Sequence, residues 1–288
     1  MTDEQATRVR RRTFIGLAGA GAAAGLISEA HPGVLGPRVR WRPDGAGALA
    51  RIGLLTPAWD PVPESETWAM APPGVSIHAS RVGSKRGDPR SFAEPPHIDT
   101  AVELLAALRP RVIVSAYTGS SYALGADADD ALRARLEALA PGAAVLLTAP
   151  AAAEALHFLD VRRVALVHPP WFSDQVNSQG RDYFRSRGFD VVSCARMTPL
   201  RDFSEVAPEE VHDWIKANVP RQAEAVLVGG NGLRAVGVIQ ALENALGRPV
   251  LTANQVALWR ALRVAGVVAR VPGYGRLFER DAASKVKR

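Results

Sequence analysis

IGLLTPAW at residues 52–59 and VALVHPPW at residues 164–171 are one phrase written twice: an apolar run of strand length, then proline and tryptophan. The two copies stand 112 positions apart. A second echo pairs LTAP at 147–150 with LTAN at 251–254, at an offset of 104, followed by Ala155 and Leu156 in the first and Ala261 and Leu262 in the second, at an offset of 106. A period this long marks a duplicated domain, not a solenoid of short repeats. Between the apolar runs, helical spacing is expected over 99–108, 128–139, 177–186, 208–218, 233–246 and 255–264. Several of these end near Gly or Pro, as at Leu246, Gly247, Arg248, Pro249. Strands alternating with helices need crossover connections and therefore form parallel sheets covered on both faces. The predicted class is α/β, with two pseudo-symmetric doubly wound domains and an interdomain cleft, because ligands of such sheets sit outside the carboxyl ends of the strands.

Two strand ends stand out. The run from Val112 to Ala116 leads into Tyr117, Thr118, Gly119, Ser120 and Ser121, and that from Ala225 to Val228 into Gly229, Gly230, Asn231 and Gly232. Small residues, hydroxyls and a carboxamide at such a position offer backbone N–H groups and short donors to an anion, and suit a carboxylate. Both segments read equally as tight turns whose glycines serve backbone conformation. Neither contains a cysteine, a histidine or an acid.

At 288 residues and 47% hydrophobic content the chain can bury a sizeable core, as one large domain or two smaller ones. The formal charge of +6 collects at the ends: residues 1–30 contribute +1 and residues 276–288 contribute +3. The remaining bases are scattered with no aromatic interleaving, which argues against a nucleic-acid partner. Arg10, Arg11, Arg12, Thr13, Phe14 and Ile15 precede a Gly/Ala-rich apolar stretch and the small-residue end Ser28, Glu29, Ala30. This pattern resembles a twin-arginine (Tat) export signal, and implies the Tat export machinery as a partner and a periplasmic or secreted location. A basic tail on a cytosolic protein is the alternative. The expected organisation is signal and linker over 1–49, a first domain of 50–158 plus 255–275, a second of 159–254, and a basic tail over 276–288.

Further stretches carry a family resemblance: IGLLTPAWD at 52–60 with Glu64 following, PPGVSIHASR at 72–81, SAYTGSSYALG at 115–125, VHPPWFSDQVN at 167–177, GGNGLR at 229–234 and GRPVLTANQVALWRALRVAGV at 247–267. In this order and spacing they resemble the Asp/Glu racemase superfamily, in the branch holding maleate isomerase and arylmalonate decarboxylase. The resemblance implies two α/β domains with the active site between them, no organic cofactor and no metal. It also implies chemistry by one or two cysteine thiolates at the strand-end loops, which move a proton at carbon or add to a double bond. Here Tyr117 stands at the first thiol position and, most simply, Gly230 at the second; the sole cysteine, Cys194, lies elsewhere and reads as structural.

What remains is a carboxylate cradle: Thr118, Gly119, Ser120 and Ser121 from one domain, and Gly230, Asn231 and Gly232 from the other. Asp60 is the candidate base, provided burial raises its pKa, although Asp60–Pro61 is equally an ordinary turn pair. Tyr117 is the candidate proton donor, or simply fills the vacated space. Trp171 lies where relatives often carry a substrate-reaching Tyr, and with Trp59 and Tyr122 is a candidate aromatic wall; core packing is the alternative. His168 is a lesser candidate base, and His78 with Arg81 reads as support for the core or for an adjacent charge. The expected function is a cofactor-independent isomerase, racemase or decarboxylase acting on a small carboxylic or dicarboxylic acid, with an exported carboxylate-binding protein as the rival reading. A homo-oligomer is left open.

Overall fold

The computed structural model describes residues 47–199 and 205–286. The export-like segment lies outside the described residues. Each half opens on an apolar strand and repeats one plan. The first half runs β1 (Ala50–Pro57), α1 (Val62–Met70), β2 (Val75–Val82), α2 (His97–Ala106), β3 (Val112–Ser115), α3 (Thr118–Leu124), α4 (Ala126–Leu139), β4 (Ala144–Leu147) and α5 (Thr148–Phe158). The second runs β5 (Arg163–His168), α6 (Asp174–Ser186), β6 (Asp190–Arg196), α7 (Pro208–Asn218), β7 (Ala225–Val228), α8 (Ile239–Leu246), β8 (Val250–Thr252) and α9 (Ala253–Val264), followed by α10 (Arg276–Val286).

The strand orders are β2-β1-β3-β4 and β6-β5-β7-β8, and every pairing is parallel. The equal orders are the structural form of the repeated phrase, and the α/β expectation holds. In each sheet the order reverses beside the first strand, so β1 and β3 in one half, and β5 and β7 in the other, direct their ends to a switch point.

Besides the C-terminal α10, three helices escaped the periodicity, each for a physical reason. Proline at the first turn of α1 is permitted there, because that N–H has no helical partner anyway. Helix α3 is built of Thr, Gly and Ser, weak helix formers held by their surroundings. Helix α5 is alanine-rich, and Ala149, Ala151, Ala152, Ala153 and Ala155 are all buried, so no polar face gives it a 3.6-residue rhythm. Its small side chains let α5 pack closely on α9, which also reaches β3 and β4 of the first sheet.

The expected basic tail is corrected over most of its length. Residues 276–286 form α10, which buries Leu277 and Phe278 in the central core. Asp281 pairs with Arg263 of α9, whose guanidinium lies over Phe158 at 4.9 Å and Trp259 at 5.2 Å. The buried Glu243 carboxylate accepts the backbone N–H of Arg276 at 2.8 Å and of Val250 at 3.0 Å. The charges of this segment dominate its sequence and hide two apolar anchors. Leu277→Ala is expected to lower unfolding stability by about 2–4 kcal/mol in a denaturant titration; a loss under about 0.5 kcal/mol would show that α10 is not docked in solution.

Candidate active site

The two strand-end loops meet. The Thr118 backbone N–H and hydroxyl both donate to Asn231 Oδ1, at 2.8 and 2.6 Å. Asn231 Nδ2 donates to Asn254 Oδ1 at 2.9 Å and to Thr148 Oγ1 at 3.4 Å. Asn254 Nδ2 in turn donates to Glu66 Oε2 at 2.7 Å and to the Asn231 carbonyl at 2.9 Å. Glu66 Oε1 accepts the N–H groups of Ala235 and Val236 at 2.7 and 3.0 Å. All these side chains are buried. A backbone carbonyl only accepts and a backbone N–H only donates, so the Asn231 carbonyl fixes which way the Asn254 carboxamide points and the Thr118 N–H fixes that of Asn231, with Glu66 accepting from Asn254 at the far end. Burial pushes the Glu66 carboxyl up to about 7, against the three hydrogen bonds that favour its charged form.

Asp60 lies at the end of β1, 2% exposed. Its Oδ1 accepts the Val62 N–H at 3.0 Å, so the carboxylate closes the first turn of α1. Its Oδ2 faces the other half: a Cβ at Gly232 would stand 2.6 Å away. Burial raises the Asp60 carboxyl from its ordinary value to about 6, opposed by the Val62 N–H and the Arg81 charge. Tyr117 packs edge-on against Trp59 at 6.2 Å and Phe92 at 5.0 Å between ring centres. Burial first, then the negative charges of Asp60 and Asp88, push its phenol up to about 12. Tyr117 therefore stays a neutral phenol at neutral pH. The Arg86 guanidinium covers Trp59 at 5.4 Å.

Gly230 adopts φ +87°, a conformation side chains disfavour, and a Cβ there would lie 2.4 Å from Pro169 Cγ. The space a side chain at 230 would need is thus filled by the proline of the repeated phrase. Gly119 faces Pro89 and Tyr117. Ser120 Oγ is buried with no hydrogen-bond partner among the described residues, while Ser121 bonds to Asp129 of α4.

Two other candidates pack behind the second loop, where a Cβ at Gly229 would stand 2.8 Å from His168 Cδ2 and 2.9 Å from the Tyr122 hydroxyl. Tyr122 is fully buried against His168, Tyr183 and Phe184, and packs the core instead of lining the cleft. Trp171 is half-buried against the central and second-half cores. His168 has no exposure, pairs through Nδ1 with Asn177 Oδ1 at 2.8 Å, and is pushed down to about 4 by burial, so it stays neutral. The Cys194 thiol on β6 sits 3.3 Å from the Asn177 carbonyl and is pushed up to about 11 by burial, so thiolate is scarce there. His78 pairs with Ser76 Oγ at 2.8 Å. Among the described residues no group of three His, Cys, Asp or Glu is placed to hold a metal ion.

Sequence reasoning missed Glu66, Asn254 and Thr148. Glu66 lies in a stretch to which the sequence reading gave no element, and only the partners brought from residues 235–254 give it a role. Asn254 had a weak signal, the change from Pro150 to Asn254 between the two LTA copies.

Comparison with known proteins agrees with this geometry. A maleate isomerase of Nocardia farcinica (strain IFM 10152) is 27% identical over 248 residues, covering 82% of this chain and 98% of that protein. An arylmalonate decarboxylase of Bordetella bronchiseptica is 30% identical over 129 residues, covering 43% and 53%. The solved structure of a Nocardia farcinica maleate cis-trans isomerase variant with a covalently bound succinylcysteine intermediate shares the fold, with TM-score 0.73, 24% identity, and coverage of 80% of this chain and 98% of that one. The family model described as arylmalonate decarboxylase matches residues 52–278, and the chain belongs to that family.

Proposed function

We propose that this protein moves a proton at the carbon beside a carboxylate of a small carboxylic or dicarboxylic acid, in an isomerisation, racemisation or decarboxylation, with Asp60 and Tyr117 in place of thiolates. The observation that carries the reading is Asp60: a buried carboxyl with a pKa near 6, one oxygen fastened to Val62 and the other turned toward the Gly230–Gly232 loop. A base with a pKa close to neutrality is both largely ionised at pH 7 and still strong enough to take a proton. Tyr117 supplies the complementary donor, its ring held by Trp59 and Phe92. These rings exclude water, which strengthens each electrostatic contact with a bound acid.

Support for carboxylate recognition comes from Thr118. Its N–H and hydroxyl converge on one carboxamide oxygen, an arrangement that also suits one oxygen of a carboxylate. In this reading a substrate oxygen takes over the two Thr118 donors from Asn231 Oδ1, while Asn231 stays held across the two halves through Nδ2 by Thr148 and Asn254. Thiol addition of the kind the succinylcysteine in the Nocardia structure records has no counterpart here, because Tyr117 holds one thiol position and Pro169 crowds the other. The rival reading, an exported carboxylate-binding protein, draws on the same loss of thiols and on the satisfied Thr118 donors. Export rests on the Arg11–Arg12 pair and Phe14.

Deuterium uptake from D₂O into maleate, malonates and amino-diacids separates the two readings, since a binder exchanges no carbon-bound proton. Exchange is expected to rise with pH through about 6, as Asp60 loses its proton, to fall at least 100-fold in Asp60→Asn, and to be unchanged in Cys194→Ala; no exchange with any of these acids would leave the binding protein. Gly230→Cys is expected to destabilise the fold by about 1–3 kcal/mol without raising exchange, and a fully active, equally stable variant would show that the loop accommodates a thiol. Replacing Arg11 and Arg12 together by Lys is expected to retain the protein in the cytoplasm of a Tat-competent host on cell fractionation, whereas unchanged export would remove the twin-arginine assignment.

A further inference from the structure

We infer that Arg81 is the positioning residue of the Asp60 carboxylate, pinning the backbone of the turn on which that carboxylate is mounted. The inference deepens, and rests on, the reading of Asp60 as the proton-transfer group. Arg81 lies near the end of β2, in register with Thr56 of β1. Its Nη1 donates to the Asp60 carbonyl at 2.6 Å, and the Thr56 hydroxyl donates to the same oxygen at 3.2 Å. Its Nη2 pairs with the Glu64 carboxylate, so one planar guanidinium spans the turn and the first residues of α1. A lysine ammonium lacks this fixed fork.

An ion pair between side chains about a third exposed, as Arg81 and Glu64 are, contributes little to stability by itself. The bond to the Asp60 carbonyl is different in kind, because the turn it fixes sets the direction of both carboxylate oxygens. With the carbonyl held, Oδ1 meets the Val62 N–H and Oδ2 meets the gap that Gly232 leaves. A shift of about 1 Å at a reacting group costs on the order of 100-fold in rate. Arg81 also brings a cation to a buried acid. The charged or titratable groups that act on Asp60 are Arg81 from β2, Glu66 from α1 and Tyr117 before α3, with Glu64 accompanying Arg81. Arg81 is the cation among them.

The test is a ¹³C-carboxyl NMR titration of aspartate-labelled protein, with the Asp60 resonance identified by its absence in Asp60→Asn, run beside the deuterium-exchange assay. Arg81→Met is expected to raise the Asp60 midpoint by about half a unit to one unit and to move the acid limb of exchange with it. Arg81→Lys keeps the charge and loses the fork; the midpoint is expected near that of the wild type while the exchange rate falls about tenfold. Should Arg81→Met fail to fold, Arg81→Lys decides: an exchange rate unchanged in Arg81→Lys is expected only if Arg81 is a surface ion pair, and overturns the proposal. An unmoved midpoint in folded Arg81→Met overturns it as well. A midpoint that follows Arg81 in a protein without exchange supports the positioning role and removes the catalytic reading of Asp60.

Discussion

One run of buried hydrogen bonds, Glu66 to Asn254 to Asn231 to Thr118, joins the two halves, and the rest of the centre depends on it. Each amide in the run has one donor end and one acceptor end, and the backbone partners, the Asn231 carbonyl and the Thr118 N–H, allow only one sense of orientation. Leaving any member unpaired at this depth costs about 1–3 kcal/mol, more for the charged end. The network is therefore a register device as much as an adhesive: it sets how the end of β3 faces the end of β7. Asp60 meets the opposite loop at Gly232 because that register holds.

Glycine does the complementary work. At 230 the backbone is left-handed and Pro169 fills the space of a side chain; at 232 the missing Cβ admits the Asp60 carboxylate. The two positions explain together why a thiol is out of place in this loop and an acid is close to it. The carboxylate comes from the segment that follows β1 in the other half and reaches this loop across the space that Gly232 leaves.

The lesson for the family is one of spacing between roles. The Thr118 donors, the Asp60 carboxylate and the Tyr117 phenol lie at the carboxyl ends of neighbouring parallel strands, where the fold leaves backbone groups and side chains directed outward. Burial raises the pKa of the Asp60 carboxyl by removing water, so packing and proton affinity are set together.

The sequence by itself determined the duplicated α/β architecture, the strand ends, and the two loops, because apolar runs, helical spacing and a repeated phrase are local patterns that survive without knowledge of contacts. It also singled out Asp60, Tyr117, Thr118 and Asn231, from residue type and place alone. The tertiary structure decided that Thr118 and Asn231 bind each other, that Pro169 fills the position beside Gly230, and that Glu66 and Arg81 govern the groups around them. It also decided that the charged end of the chain folds onto the core through Leu277 and Phe278. Those facts rest on partners far apart in the chain, such as Glu66 and Asn254 or Thr118 and Asn231, and a desolvated carboxyl acquires its proton affinity only when the distant half closes over it.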